Sequence, residues 1–122
     1  MTNPITEGIH AGEYIVSEAN GNYSREVVTV TGADLGAATV LGKVTASGKY
    51  AILAPAAADG TETAAAVLYD TAKAAVADAQ QVAHVRACEV NGLVLVWPDG
   101  ISAPQKAAAI ADLAAAGIIV RT

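Results

Sequence analysis

Glycine, proline and Asx-Gly pairs cut this sequence into short pieces, and that punctuation limits what it can build. Glu26-Val-Val-Thr-Val-Thr31 is rich in β-branched residues and stops at Gly32, so it reads as a strand. Thr39–Thr45 reads the same way and runs into a Ser47-Gly48 turn. Tyr50–Leu53 makes a shorter strand that ends before Pro55, and Asp59-Gly60 marks the next turn. Ala64–Tyr69 is undecided by period: its alanines suit a helix and its Val-Leu-Tyr end suits a strand. Thr71–Gln81 has Val76 as its only bulky apolar residue, so a loop with at most one helical turn is expected.

Gln81–Val90 alternates like one strand. Asn91-Gly92 follows, and then the apolar run Leu93–Trp97. Asn-Gly between two such runs predicts a hairpin, because both residues tolerate the positive φ of a type I′ turn. The helix signal comes later. Ser102 is placed to cap it, and Pro104 falls in its first turn, where a missing N–H costs nothing. Ile110, Leu113 and Ala114 form its expected apolar stripe, Gly117 its stop, and Ile118–Val120 a closing strand. Residues Met1–Gly12 lack hydrophobic periodicity and include Pro4, Gly8 and Gly12. The expected organisation is a flexible N-terminal arm over 1–12 and one mainly β domain over 13–122.

Composition narrows the function classes. Apolar residues make up 53% of the chain, yet Phe is absent and aromatics are only 4%. Alanine buries little area, so each core residue contributes little, and association between subunits is the expected remedy. Net charge is −5 with no basic cluster, which disfavours nucleic acid, since phosphates need cations to neutralise them. No basic start precedes an apolar run, and no stretch reaches membrane length, so a soluble protein made in a cytoplasm is expected, with no membrane partner.

The chemistry-bearing residues give weak signals. His84 and Cys88 would lie on one face of a strand, but four residues on a strand span ~13 Å at ~3.3 Å each, too far for direct contact. Cysteine also packs commonly as a small buried hydrophobe. A small β-barrel enzyme or ligand-binding module using Cys88 and His84 is the rival reading. One Cys with two separated histidines, His10 and His84, does not make a zinc site. Gly42–Tyr50 misses the phosphate-loop pattern by one residue of spacing and lacks the hydroxyl residue that would follow Lys49. Ser24-Arg25-Glu26 has no nucleophile-elbow context and reads as a charged strand entry, with Arg25 available to a carboxylate. Asp59, Glu62, Asp70 and Asp78 read as solvated loop charges. Trp97, before Pro98-Asp99-Gly100, fits either a core position or an interface anchor.

Taken in order, several segments resemble the bacteriophage head decoration proteins related to the lambda protein. They are HAGEYIVSEANGNYSREVVTV (residues 10–30), Gly36–Thr45 followed by Gly48-Lys-Tyr50, the D-G-x-x-x-A stretch at Asp59–Leu68, and Val90-Asn-Gly-Leu-Val-Leu-Val-Trp-Pro98. The resemblance runs from His10 to Arg121. The S-E-A-N-G-x-x-S-R block at Ser17–Arg25 marks a branch that the lambda protein itself lacks. The resemblance implies a homotrimer of small β-clip domains on the outside of the expanded phage head at threefold sites. There it would bind the major capsid protein and hold the shell against the pressure of packaged DNA. It implies a structural virion protein with no catalysis, no cofactor and no small-molecule substrate, whose arm orders on the capsid. Ile5, Ile9, Tyr14 and Ile15, the bulky apolar residues of a polar leader, are the expected capsid contacts of the arm and its root. Trp97 and Pro98 are expected at the subunit contact.

Overall fold

The computed structural model describes residues 11–121. These form ten strands and one helix: β1 (Ile15–Glu18), β2 (Arg25–Val30), β3 (Asp34–Leu35), β4 (Val40–Lys43), β5 (Tyr50–Ile52), β6 (Ala64–Leu68), β7 (Ala72–Lys73), β8 (Ala79–His84), β9 (Cys88–Asn91), α1 (Ala103–Ala115) and β10 (Ile118–Arg121). The mainly β class and the C-terminal helix agree with the sequence. The arm contacts expected at Ile5 and Ile9 lie outside the described residues.

Five strands close into a barrel in the order β2-β5-β4-β6-β8, with β8 pairing back onto β2 from Arg25–His84 to Val30–Ala79. Closure gives every barrel strand a neighbour on each side, although β2 meets β5 only through Val30–Tyr50. On β2 the side chains of Val28 and Val30 point inward and Val27 outward, the period-2 pattern of a strand with one buried face. The interior holds Val28, Val30, Leu41, Tyr50 and Leu68 beside Ala66 and Ala83. A five-stranded barrel is narrow and its side chains must fill it. Small alanines at the facing positions therefore suit it, where a Phe would crowd.

Against the barrel packs a three-stranded sheet in the order β1-β9-β10. β9 is central, antiparallel to β1 and parallel to β10. The parallel pair needs a crossover, and α1 supplies it. A second core fills the space between this layer and the barrel, with Tyr14, Val40, Leu53, Val67, Val90, Leu95, Leu113 and Ile118. Ser102 caps α1 as expected. Its Oγ accepts from the Gln105 N–H while the Gln105 side chain accepts from the Ser102 N–H, a full capping box. Gly117 takes the positive φ of the residue past the helix end.

Four local expectations are corrected. Gln81–Val90 is not one strand: β8 ends at His84, Ala87 turns to φ 51°, and β9 starts at Cys88 in the other sheet. Asn91-Gly92 makes no hairpin. The Asn91 N–H donates to Tyr14 O and the Gly92 N–H to Arg121 O, so both are held by strands distant in sequence. Leu93–Trp97 accordingly runs as a turn and loop, touching the sheet framework through one parallel bridge, Thr39 to Val96. On α1 the buried stripe is Ala109 and Leu113, with Ala114 exposed. Thr71–Gln81 contains β7 and the start of β8 in place of a helical turn, and the undecided Ala64–Tyr69 stretch forms β6.

Candidate functional site

Just before β1 the chain turns at Gly12, whose N–H donates to Tyr69 O at 3.1 Å. The turn drops Tyr14 into the space between sheet and barrel, where it is fully buried. Its hydroxyl lies 2.6 Å from Nδ1 of His84, at the end of β8. His84 is also fully buried, and its Nε2 sits 2.9 Å from Glu18 Oε1, at the end of β1. Glu18 faces Arg25, at the start of β2, through two parallel bonds: Nε to Oε1 at 3.0 Å and Nη2 to Oε2 at 2.8 Å. The Arg25 guanidinium in turn lies 4.6 Å from the centre of the Tyr69 ring. One polar chain thus links Tyr14, His84, Glu18, Arg25 and Tyr69.

Charge fixes the protons along it. The Arg25 fork, helped by His84, holds the Glu18 carboxyl down to about 2, so Glu18 is an ionised acceptor. Burial pushes the His84 imidazole below its ordinary value, against the pull of Glu18, so the ring is neutral at neutral pH. Nε2–H therefore donates to Glu18, and Nδ1 accepts from the Tyr14 hydroxyl. Burial also raises the Tyr14 phenol and pushes the Cys88 thiol up to about 11. Both nitrogens of His84 are occupied, and Cys88 belongs to a different sheet. The pair therefore makes no activated nucleophile, which needs a base in hydrogen-bond reach of a thiol.

Ser24 closes the neighbouring turn. Its Oγ accepts from the Ala19 N–H and donates to Ala87 O, at 2.9 and 2.8 Å, and it is fully buried. Ser17, Glu18, Ala19, Ser24 and Arg25 therefore fold as one closed unit over Asn20-Gly21. Arg25 does meet a carboxylate, as its position suggested.

Other candidate positions lie apart. Ile15 is half-buried against the inter-layer core, beside Val120. Trp97 is half-buried on the same core with Ile101, and Lys106 Nζ sits 5.2 Å from its ring centre. The indole N–H of Trp97 is buried without an acceptor among the described residues. Pro98 is half-buried. Large exposed apolar side chains are scattered: Val16, Tyr23, Val27, Val76 and Leu93. Clefts are shallow and open. One of about 240 Å³ is lined by Asn22, Arg25, Glu26, Val27 and Val82. Among the described residues no three His, Cys, Asp or Glu side chains converge as a metal site requires, and no helix is long and apolar enough to cross a membrane.

The outer backbone edges of β1 and β10 have no strand partner among the described residues. These are the places where a further strand could pair. β1 is also the strand that directly follows the N-terminal segment.

No curated protein matches the chain. A family model does: that of the bacteriophage lambda head decoration protein D, over residues 4–118.

Proposed function

The chain belongs to the bacteriophage lambda head decoration protein D family, a family of structural phage capsid proteins, and from that premise we propose that it is a trimeric cement. In this reading three copies, each a β-clip-type domain, sit on the outer surface of the expanded head at threefold sites. They bind the major capsid protein and hold the shell against internal DNA pressure. The protein is made in the host cytoplasm and ends in the virion. The observation that carries this is the family match over residues 4–118.

The molecule offers features suited to the role. The arm over residues 1–12 leads straight into β1, whose outer edge is unpaired among the described residues. Recognition by strand addition uses such backbone groups and needs no deep pocket. Ordering an arm costs conformational entropy, so one arm alone binds weakly. Three arms on one trimer raise the effective concentration of the second and third contacts. The net charge of −5 suits a face turned to solvent and away from packaged DNA. Ile5, Ile9 and Ile15 are the proposed apolar capsid contacts of the arm and its root; Tyr14, expected among them, is fully buried and is proposed instead as the anchor of that root. Trp97 and Pro98 are proposed at the subunit contact.

The deciding experiment mixes purified protein with expanded and unexpanded heads of its phage and measures co-sedimentation. Binding to expanded heads alone, by a species of about 37 kDa, three times the 12.2 kDa chain, supports the reading. A monomer that ignores both kinds of head refutes it. Deletion of residues 2–12 tests the arm, and Trp97→Ala tests the subunit contact through the mass in solution.

A further inference from the structure

We propose that Glu18, with His84 and Arg25, forms a latch that fixes the root of the N-terminal segment on the barrel and so positions that segment for capsid binding. The positioning half of this rests on the cement reading; the latch itself does not.

Backbone pairing alone holds β1 poorly. Among the described residues it pairs on one side only, with β9, and the ladder shifts register between Ile15 and Ser17. A short edge strand with an irregular ladder is where a fold opens first. Side chains supply the missing hold, and they do so at both ends. Tyr14 grips His84 before the strand starts, and Glu18 grips His84 and Arg25 where it stops. The same imidazole serves both ends, so the root is tied at two points to one residue of β8.

Both partner residues belong to one barrel rung. Arg25 on β2 and His84 on β8 are paired residues in the barrel ladder. The pair is the end rung of the β2–β8 ladder, the longest in the barrel. Glu18 lies across it with one oxygen shared between the two and the other taken by Arg25. A bidentate carboxylate–guanidinium pair fixes direction as well as distance. The root from Gly12 to Glu18 is therefore held by these side chains together with the backbone bonds from Gly12 N–H to Tyr69 O and from Asn91 N–H to Tyr14 O.

The latch also has a defined second proton state. The titratable groups around His84 are Tyr14 and Glu18 on the root, Arg25 on β2, Tyr69 after β6 and Cys88 on β9. A proton added at Nδ1 would donate to the Tyr14 oxygen. The phenol hydrogen would then turn to Val67 O, 3.3 Å away. Tyr14 can accept that change without leaving its place, whereas loss of the Glu18 charge has no such substitute.

The test is Glu18→Gln in the full-length protein, read by amide hydrogen exchange and by affinity for expanded heads. The expected result is exchange about ten-fold faster at Ile15–Glu18, the effect of one charge-assisted hydrogen bond, with β2 and β8 amides unchanged. Head affinity falls by a similar factor. Arg25→Lys, which keeps the charge and loses the fork, gives an intermediate value of both. Unchanged exchange at β1 overturns the latch. Faster exchange with unchanged head affinity overturns its positioning role. Equal acceleration at every amide overturns it too, because that reports global stability. If Glu18→Gln does not fold, Tyr14→Phe carries the same comparison with the Glu18–Arg25 pair intact. Wild-type protein that ignores expanded heads defeats the cement reading, and the exchange result then decides the latch alone.

Discussion

The hydroxyl of Tyr14 and Nδ1 of His84, 70 residues apart in sequence, meet at 2.6 Å with both side chains fully buried. The imidazole Nδ1 has the phenol as its partner, whereas the hydroxyl also lies 3.3 Å from Val67 O.

Tyr14→Phe removes the donor and leaves Nδ1 of a buried imidazole unsatisfied. The expected loss is about 1–3 kcal/mol of stability, the cost of stranding a buried polar group. Urea unfolding measures it. A change near zero would mean that the phenol–imidazole contact is incidental.

Acid should destabilise the protein in two stages. Below about 6.5 the unfolded chain takes a proton at residue 84 that the folded, buried imidazole resists, so stability falls with falling pH. Folded Glu18 stays ionised down to about 2, against an ordinary 4.5, so its contribution is complete above 4.5 and is lost toward 2. Asp59, Asp78 and Glu89, also held low by their hydrogen-bond partners, add to this second stage. The urea midpoint measured from pH 8 to pH 3 should begin to fall as the pH nears about 6.5 and fall further in the carboxylate range, and Glu18→Gln should shallow the lower part. A midpoint that rises on acidification would contradict both assignments.

Gly42→Ala should be severe. A Cβ there would lie 2.5 Å from Thr61 O and 2.6 Å from Thr61 Cα, both backbone atoms, at the register shift between β4 and β6. Neither can step aside without moving the backbone of the turn that leads into β6, so the expected cost is about 3 kcal/mol or more. Gly36→Ala, where a Cβ meets nothing within 4 Å, should stay within about 0.5 kcal/mol. Thermal unfolding of the two variants side by side checks the contrast.

Cys88 should resist thiol reagents in the native protein at neutral pH. It is 5% exposed and its thiol is pushed up to about 11, so little thiolate is present to react. Labelling should follow the unfolding rate and become fast in urea. Rapid native labelling would show an open path to β9.

Local chemistry made much of the fold legible. The capping box at Ser102, the stop at Gly117 and the β-branched run at Glu26–Thr31 carry their instructions within a few residues. Ala87 does not. Alanine rarely takes positive φ, and nothing in the sequence marks this one. The cause is tertiary: Ala87 O accepts from Ser24 and Ala19, Cys88 N–H donates to Gly117 O, and Gly117 passes so close that a Cβ on it would lie 3.1 Å from Ala87 N. Asn91-Gly92 fails as a hairpin for a similar reason. Its backbone donors are claimed by Tyr14 and Arg121, and the Asn91 side chain turns to accept from the Leu93 N–H. In the site, Arg25 was visible as a cation in want of a carboxylate. Glu18 was not singled out as that carboxylate, and His84 and Tyr14 were not visible as its company, because only the closed barrel brings β8 beside β2.

The orientation of β1 on β9 carries a mechanical consequence. Its three pairs are Ile15–Val90, Ser17–Glu89 and Glu18–Cys88. A tug along the strand axis loads all three in shear, together with the carboxylate at its far end, and they must yield at once. A tug across the axis peels them one by one, starting at Ile15. The same few bonds are therefore strong or weak according to the angle of pull.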